Sequence, residues 1–338
     1  KQLSFSDTAK PGALFGTDPP GGTKVAAGSA VKLLVSAGFP QIAYDDGKNV
    51  LLVNGADGKR LETIAKSPKI EKEPSFNLTG SALAFVSASK PPPGSLDSPD
   101  GALMLSNRAK PDEAPVALTP DGEKWRVPAF APTEGNVLAA IRFGGEGKRD
   151  GDLCIGEVDG GGYAVDCIAD PKISIKRVVR WAPDGKALYA FGDTARHFGI
   201  VRYTTDRPFS PDTDDYGDGE FVTDLSQGAD NKGVIDLAIS PDGKTMAVVA
   251  NFESDAFQLY LAKPGDFELT KAKLLPVRAC KVSWRPDSLE VAVVQADDCQ
   301  AGVGDLVRVD RRDPKRLTTL RLGADSPAYQ PVLPERRK

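Results

Sequence analysis

The side chains best placed to do chemistry are four cysteines, one acidic run and a set of scattered cations. The acidic run is Asp212-Thr213-Asp214-Asp215-Tyr216-Gly217-Asp218-Gly219-Glu220. Carboxylates alternating around glycines could chelate Ca²⁺ with hard oxygen ligands, and Asp212, Asp214, Asp218 and Glu220 are the candidate set. The spacing resembles the start of an EF-hand loop, but Tyr216 replaces the third acidic position and Thr223 stands where the terminal bidentate Glu belongs. The alternative is a solvated hairpin loop. Catalytic motifs are wanting. The chain has no Gly-x-Ser-x-Gly elbow, no phosphate loop and no His-Glu-x-x-His. Its single histidine, His197, falls between expected strands, and a surface or packing role is expected for it. On these residues the chain reads as a non-enzyme with no resident cofactor beyond the Ca²⁺ candidate.

The cysteines, Cys154, Cys167, Cys280 and Cys299, fall into two local pairs without metal-site spacing. Two disulfides, and hence an oxidising compartment, are expected; two pairs of free buried thiols are the alternative. The first pair can be tested by register. Gly151–Val158 and Tyr163–Asp170 read as strands around Asp159-Gly160-Gly161-Gly162. If Val158 faces Tyr163, Cys154 lies opposite Cys167, close enough to bridge. The second pair has no simple hairpin register and requires the loop carrying Cys299 to fold back over Cys280.

The bulk numbers set limits. The chain has 338 residues, with 40% hydrophobic and 27% charged side chains, as in soluble globular proteins. The formal net charge of −4 and a pI near 5.3 argue against a nucleic-acid partner. No apolar stretch approaches the roughly 20 residues of a membrane helix, so membrane attachment is expected only through segments outside this chain. No signal peptide is recognisable, and a start at Lys1 reads as a fragment of a longer protein.

The elements that must position these groups are repeats. Two or three apolar or aromatic residues, then Pro-Asp-Gly or a variant, then an apolar run recur along the chain. Clear copies are Trp181-Ala182-Pro183-Asp184-Gly185-Lys186, Ile239-Ser240-Pro241-Asp242-Gly243-Lys244 and Trp284-Arg285-Pro286-Asp287-Ser288. Weaker copies begin at Phe76, Phe130 and Tyr329. The lead residues Phe76, Phe130, Trp181, Ile239, Trp284 and Tyr329 are spaced by 54, 51, 58, 45 and 45 residues. Each step holds four short strands; in one copy they read Val234–Ile239, Thr245–Ala250, Phe257–Ala262 and Lys271–Leu275. Four-stranded units at this period predict propeller blades. Residues 40–65 carry strands (Gln41–Tyr44, Val50–Asn54, Arg60–Ile64) without a lead motif. The C-terminus carries a lead motif at Ser326–Val332 without strands after it. The two ends therefore fit as one composite blade, giving an all-β, six-bladed ring. A five-bladed count would leave both ends unpaired.

Propellers bind ligands at the mouth where inner strands begin. Residues just before the lead motifs, Lys72, Arg126, Lys176, Arg177, Arg278 and Lys281, are the candidate ligand contacts, partly offset by Glu73, Asp236 and Asp325. Such a patch would attract carboxylates, with arginine binding them bidentately; scattered solvated charges are the alternative. Trp181 and Trp284 occupy lead positions and should pack between blades. Trp125 breaks the pattern and is the aromatic candidate for the mouth. The insertion from Pro91-Pro92-Pro93-Gly94 to Gly101 reads as a long polar loop.

Trp181–Lys186 and Ile239–Lys244 resemble the TolB-like propeller repeat, also written as a WD-like or PD40 repeat, over residues 40–338. That resemblance speaks for fold and weakly for function. Propeller-fronted serine peptidases carry an added hydrolase domain, for which no residues remain. Residues 1–39 resemble another family. Asp18-Pro19-Pro20-Gly21-Gly22-Thr23-Lys24-Val25 and Gly28-Ser29-Ala30-Val31-Lys32-Leu33-Leu34-Val35-Ser36-Ala37-Gly38 are similar to the closing half of a PASTA domain. The resemblance implies a bacterial cell-envelope setting, extracellular or periplasmic, as in the external part of a Ser/Thr kinase. It also implies contact with peptidoglycan; taken with the mouth, the chain reads as a non-catalytic sensor or scaffold for a peptide, protein or peptidoglycan fragment, with lactonase- or lyase-type channel chemistry or a spacer role as alternatives.

Overall fold

Short runs of β-branched and apolar residues broken by Pro-Asp-Gly turns leave the chain little choice but antiparallel meanders. The computed structural model describes every residue except 1, 7, 90–99, 134–135, 145–150, 160–161, 169–171, 207, 209–217, 225–232, 253–255, 266–270, 300–301 and 332–338. The polar insertion therefore lies almost wholly outside the described residues. Among those described there is no α-helix, and no helix is long and apolar enough to cross a membrane.

A small sheet comes first. It holds β1 (Gln2–Ser4), β2 (Leu14–Asp18) and β3 (Lys32–Ser36), in the order β1-β3-β2. A meander follows of β4 (Gln41–Asp45), β5 (Val50–Asn54) and β6 (Arg60–Ala65). The next strands are β7 (Ile70–Phe76), β8 (Ala82–Ala88), β9 (Gly101–Asn107) and β10 (Val116–Ala117). Then come β11 (Lys124–Phe130), β12 (Val137–Phe143), β13 (Asp152–Asp159) and β14 (Gly162–Ile168), joined to the previous group where Trp125 pairs with Gly101. Two separate four-stranded sheets hold β15 (Ser174–Trp181), β16 (Ala187–Asp193), β17 (Phe198–Thr204) and β18 (Glu220–Asp224), and β19 (Val234–Ile239), β20 (Met246–Ala250), β21 (Gln258–Ala262) and β22 (Lys273–Arg278). The last strands are β23 (Lys281–Trp284), β24 (Glu290–Gln295), β25 (Gly304–Asp310) and the 13-residue β26 (Leu317–Tyr329).

The two ends of the chain meet in β26. Its first part pairs with β25, and its last part pairs with β4, with Tyr329 opposite Ile42 and Ala328 opposite Ala43. The inner strand from the C-terminal side and β4, β5 and β6 thus form one sheet, as the sequence leads one to expect. The strand that opens each meander touches its successor: β7 against β11, β11 against β15, β15 against β19, β19 against β23, β23 against β26, and β26 back against β7. The ring closes, and the fold is a β-propeller.

Each core cluster mixes side chains of neighbouring meanders. One holds Val179, Trp181, Leu188 and Val201 together with Ala129, Ile141 and Ile155. Trp181 and Trp284 lock the seams, since their indole N–H groups donate to the carbonyls of Ala129 (2.8 Å) and Ala238 (3.0 Å) on the preceding inner strands. The turn chemistry is also visible. Asp184 accepts the N–H of Lys186, Asp242 that of Lys244 and Asp287 that of Leu289, while Gly185 and Gly243 take φ of 68° and 69°. Ser288 stands in the glycine position at φ 61°.

Both expected disulfides are present. Cys154 faces Cys167 in a register that also pairs Val158 with Tyr163, and the two are bonded. Cys280 is bonded to Cys299 across 19 residues.

Candidate functional site: the central channel

The inner strands surround a cavity of about 990 Å³. Its wall is tiered because the same repeat position of every inner strand falls at the same height. The lead residues Phe76, Phe130, Trp181, Ile239, Trp284 and Tyr329 line one level. Two residues further on, Leu78, Pro132, Pro183, Pro241, Pro286 and Pro331 collar one end, with Asp242 and Asp287 beside them. Three and four residues before the lead positions the wall is charged, with Lys72, Glu73, Arg126, Arg177, Asp236, Lys281 and Asp325.

A repeated backbone device builds the charged tier. On β7, β11 and β26 a bulge sets two residues against one. Lys72 pairs with Val86 and Ser75 with Ala84; Arg126 pairs with Ile141 and Ala129 with Ala139; Asp325 pairs with Asp45 and Ala328 with Ala43. On β15 the extra residue is Val178, between Arg177 opposite Phe191 and Val179 opposite Ala190. The bulged residues Glu73, Val127, Val178 and Ser326 take φ of 56°, 51°, 61° and 44°. A left-handed conformation costs a non-glycine residue about 1–2 kcal/mol, and a β-branched side chain is the least suited to it. Pro74, Pro128 and Pro327 follow three of these residues, where the bulge asks no N–H of the ladder.

Buried carboxylates tie the inner strands together. Glu73 accepts the N–H of Val127 on the next strand (2.7 Å), and Asp236 accepts that of Val282 (2.9 Å). Asp45 accepts the N–H groups of Gly47 (3.1 Å) and Glu73 (3.3 Å). Cations sit among these acids. Lys72 Nζ lies 3.7 Å from Asp325, and Arg180 donates to Asp236 at 2.9 Å. Burial pushes the Asp45 carboxyl up to about 7; the neighbouring Asp325 adds to the shift, and Lys72 opposes it. Burial also raises Asp325, against the pull of Lys281 and Lys72. For Lys281, burial works to lower the ammonium, but Asp325, Asp236 and Glu73 together hold it above its ordinary value.

Of the residues proposed from sequence for the mouth, Lys72, Arg126, Arg177 and Lys281 line the cavity. Arg126 is ion-paired with Asp100 and lies 4.5 Å over the Phe143 ring, and Arg177 lies 5.2 Å over Phe191. Lys176 and Arg278 are not part of this wall; they pair with Asp193 (3.5 Å) and Asp297. Trp125 is a correction. It is 1% exposed, its ring packs edge-on against Tyr163 at 5.7 Å, and its N–H donates to Glu123, because its place on β11 turns it into the sheet-to-sheet core. His197 is exposed on a turn closed by Thr194, with its ring 6.1 Å from that of Phe221.

The acids Glu73, Asp236 and Asp325, expected only as a partial offset, are buried within the basic set, so the tier is a mixed ionic network. Asp45 and Arg180 are members that the sequence does not announce. Asp45 belongs to the strand that lacks a lead motif, and Arg180 sits one residue before Trp181, where alternation alone would point it away from the charged tier. Asp212 and Asp214 of the Ca²⁺ candidate lie outside the described residues, Asp218 is described, and Glu220 is paired with Arg202. No group of three or more His, Cys, Asp or Glu among the described residues gathers as a metal site.

No family model and no curated protein matches the sequence. Solved structures do match in fold. TolB from Acinetobacter baumannii superposes with a TM-score of 0.64 at 16% identity, over 86% of this chain and 67% of that one. A putative TolB from Agrobacterium tumefaciens gives 0.56 at 14% identity, over 85% and 90%. A puromycin-hydrolyzing peptidase from Mycobacterium tuberculosis gives 0.51 at 15% identity, over 88% of this chain and 49% of the peptidase. The chain therefore has the propeller fold seen in TolB-like structures. The last likeness corrects the expectation that the chain is not an enzyme. The same fold accounts for about half of a chain described as a peptidase, so neither this fold nor the lack of a catalytic motif excludes an enzymatic role.

Proposed function

We propose that residues 40–338 form a six-bladed propeller, that residues 1–39 form a partial PASTA-like segment joined to it, and that the chain is the binding module of a bacterial cell-envelope protein. Its ligand is a peptide, a protein segment or a peptidoglycan fragment held in the central channel. The blade count is supported by the closed succession β7, β11, β15, β19, β23, β26, with the eight- and seven-stranded sheets each counted as two blades. The PASTA-like reading is supported by the motif residues from Asp18 to Gly38 alone. Two disulfides fit an oxidising extracellular or periplasmic setting.

The observation that carries the binding role is the cavity itself. It is large enough for a ligand of several residues, and its charged tier holds arginines and lysines on the inner strands. Isothermal titration with purified disaccharide-peptide muropeptides tests the reading. Saturable binding by the wild-type chain, reduced at least about tenfold by Arg177→Glu in a protein that melts normally, is the expected result. No binding by the wild-type chain sinks the peptidoglycan ligand.

A further inference from the structure

Three consecutive inner strands, β7, β11 and β15, present a cation at the same repeat position: Lys72, Arg126 and Arg177. Each cation immediately precedes a bulge or its left-handed residue, so the same backbone irregularity aims all three into the channel. Strain that recurs at equivalent sites, twice on valine, calls for a functional explanation. The two guanidinium groups are also oriented from behind. Arg126 lies over the Phe143 ring (4.5 Å) and Arg177 over the Phe191 ring (5.2 Å), cation–π contacts that restrict where each guanidinium can sit. A carboxylate is already seated on Arg126, where Nε donates to Asp100, so the guanidinium takes an oxyanion in this setting. Moving down the channel, the wall changes from charged to aromatic to proline, and the far collar carries the carboxylates of Asp242 and Asp287. Those two acids are themselves paired, Asp287 with Arg285 (3.2 Å) and Asp242 with Arg311 (4.0 Å), and the charged tier is mixed, so the case for an anion rests on the local set of Lys72, Arg126 and Arg177.

We infer that Arg126 and Arg177, flanked by Lys72, clamp the oxyanion head of an elongated ligand whose apolar body lies along the lead-residue tier, and that Val127 and Val178 are positioning residues for that clamp. The inference rests on the channel being the binding site. A carboxylate on an apolar body is the ligand chemistry, and it could be a peptide C-terminus or a fatty acid. In either case the head displaces or shares the place of the Asp100 carboxylate, and no covalent step is involved.

The probes are a pentapeptide of alanine, leucine, phenylalanine, leucine and valine as the free acid, the same peptide as its C-terminal amide, and decanoate. Binding is followed by calorimetry and by the fluorescence of Trp181 and Trp284, which line the cavity. The wild-type chain is expected to bind the free acid about tenfold or more tightly than the amide, with the preference shrinking as salt is added. In Arg126→Gln/Arg177→Gln the affinity for the acid falls to the wild-type value for the amide. Val127→Gly/Val178→Gly relieves the left-handed backbone but also removes two buried side chains, so the chain is expected to melt somewhat lower; the positioning role is read instead from the acid-over-amide preference, measured at a temperature where the variant is fully folded and expected to be lost there. Binding of decanoate but not of the peptide acid supports the clamp and assigns a lipid source; the reverse assigns a peptide end. Equal affinity for acid and amide overturns the clamp and leaves the channel reading standing. Binding of none of the probes overturns the clamp, and the muropeptide titration then decides separately whether the channel reading stands. Full preference retained in the double glycine variant overturns the positioning role.

Discussion

Asp45 is the residue on which the ionic tier leans most heavily. It is fully buried, accepts two backbone N–H groups and faces the carboxyl of Asp325 with Lys72 as the cation lowering it. Its folded-state pKa, about 7, lies above the ordinary 3.8. The protonated form is therefore the one the folded state prefers, and the associated stability is complete below about pH 4 and lost as pH rises through about 7. Urea denaturation at pH 5 and at pH 8 should show the wild type weaker at pH 8 by a few kcal/mol, since a tenfold change in an acid's ionisation constant corresponds to about 1.4 kcal/mol. Asp45→Asn should flatten that difference, at the cost of one of the two accepted N–H groups, since the amide offers only one oxygen. A wild-type chain equally stable at both pH values would contradict the assignment. The residue scale is also where the sequence says least. Lys72, Arg126, Arg177 and Lys281 are legible because each sits three or four residues ahead of a lead residue. Asp45 and Arg180 are not, and Trp125 is misplaced by its sequence position, because which way a side chain points near a bulge depends on an extra residue that no periodicity announces.

At the scale of the element, the seam between neighbouring sheets is the unit that matters. Trp181 and Trp284 each fill a core between two meanders and donate their N–H across it. Trp181→Phe keeps most of the apolar volume but leaves the Ala129 carbonyl without that donor, and should cost about 1–3 kcal/mol in urea denaturation. No change in midpoint would show that the hydrogen bond is replaced by solvent at no cost. The Cys154–Cys167 bond closes a hairpin of directly opposed strands. Its removal in a Cys154→Ser/Cys167→Ser chain should lower stability by about 2–3 kcal/mol without changing the channel, read as a shifted denaturation midpoint with unaltered ligand titration. These elements are the most legible part of the fold. The Pro-Asp-Gly turns and the glycine-rich hairpin set strand register from local chemistry alone, and β5 and β19 begin and end where their apolar runs do. β26 is less legible. The sequence marks a lead motif near its end, but nothing in it shows that one 13-residue strand serves two sheets, since that continuity is decided by partners hundreds of residues away.

For the whole molecule, closure decides stability. β4, β5 and β6 receive their inner strand from β26, and β26 in turn contacts β7. Deleting residues 323–338 should expose the edge of β4, open the ring and replace one cooperative transition with a broad, lower-melting one in calorimetry. A sharp transition at the original temperature would mean that the ring does not depend on this strand. The propeller and its closure are legible from the period and from the complementary incompleteness of the two ends; the tiering of the channel is not, since it emerges only when equivalent positions are brought to one height.

The pairing of Tyr329 with Ile42 also carries a temporal consequence. A growing polypeptide makes β4 early and its permanent neighbour among the last residues of the ring, so for most of synthesis the edge of β4 has no native partner. Ring closure spans almost the entire chain, which makes it a slow, high-contact-order step that can be completed only after Tyr329 has emerged. Until then the unpaired edge is the site at which a nascent chain would aggregate, and the site at which a chaperone would gain most by binding.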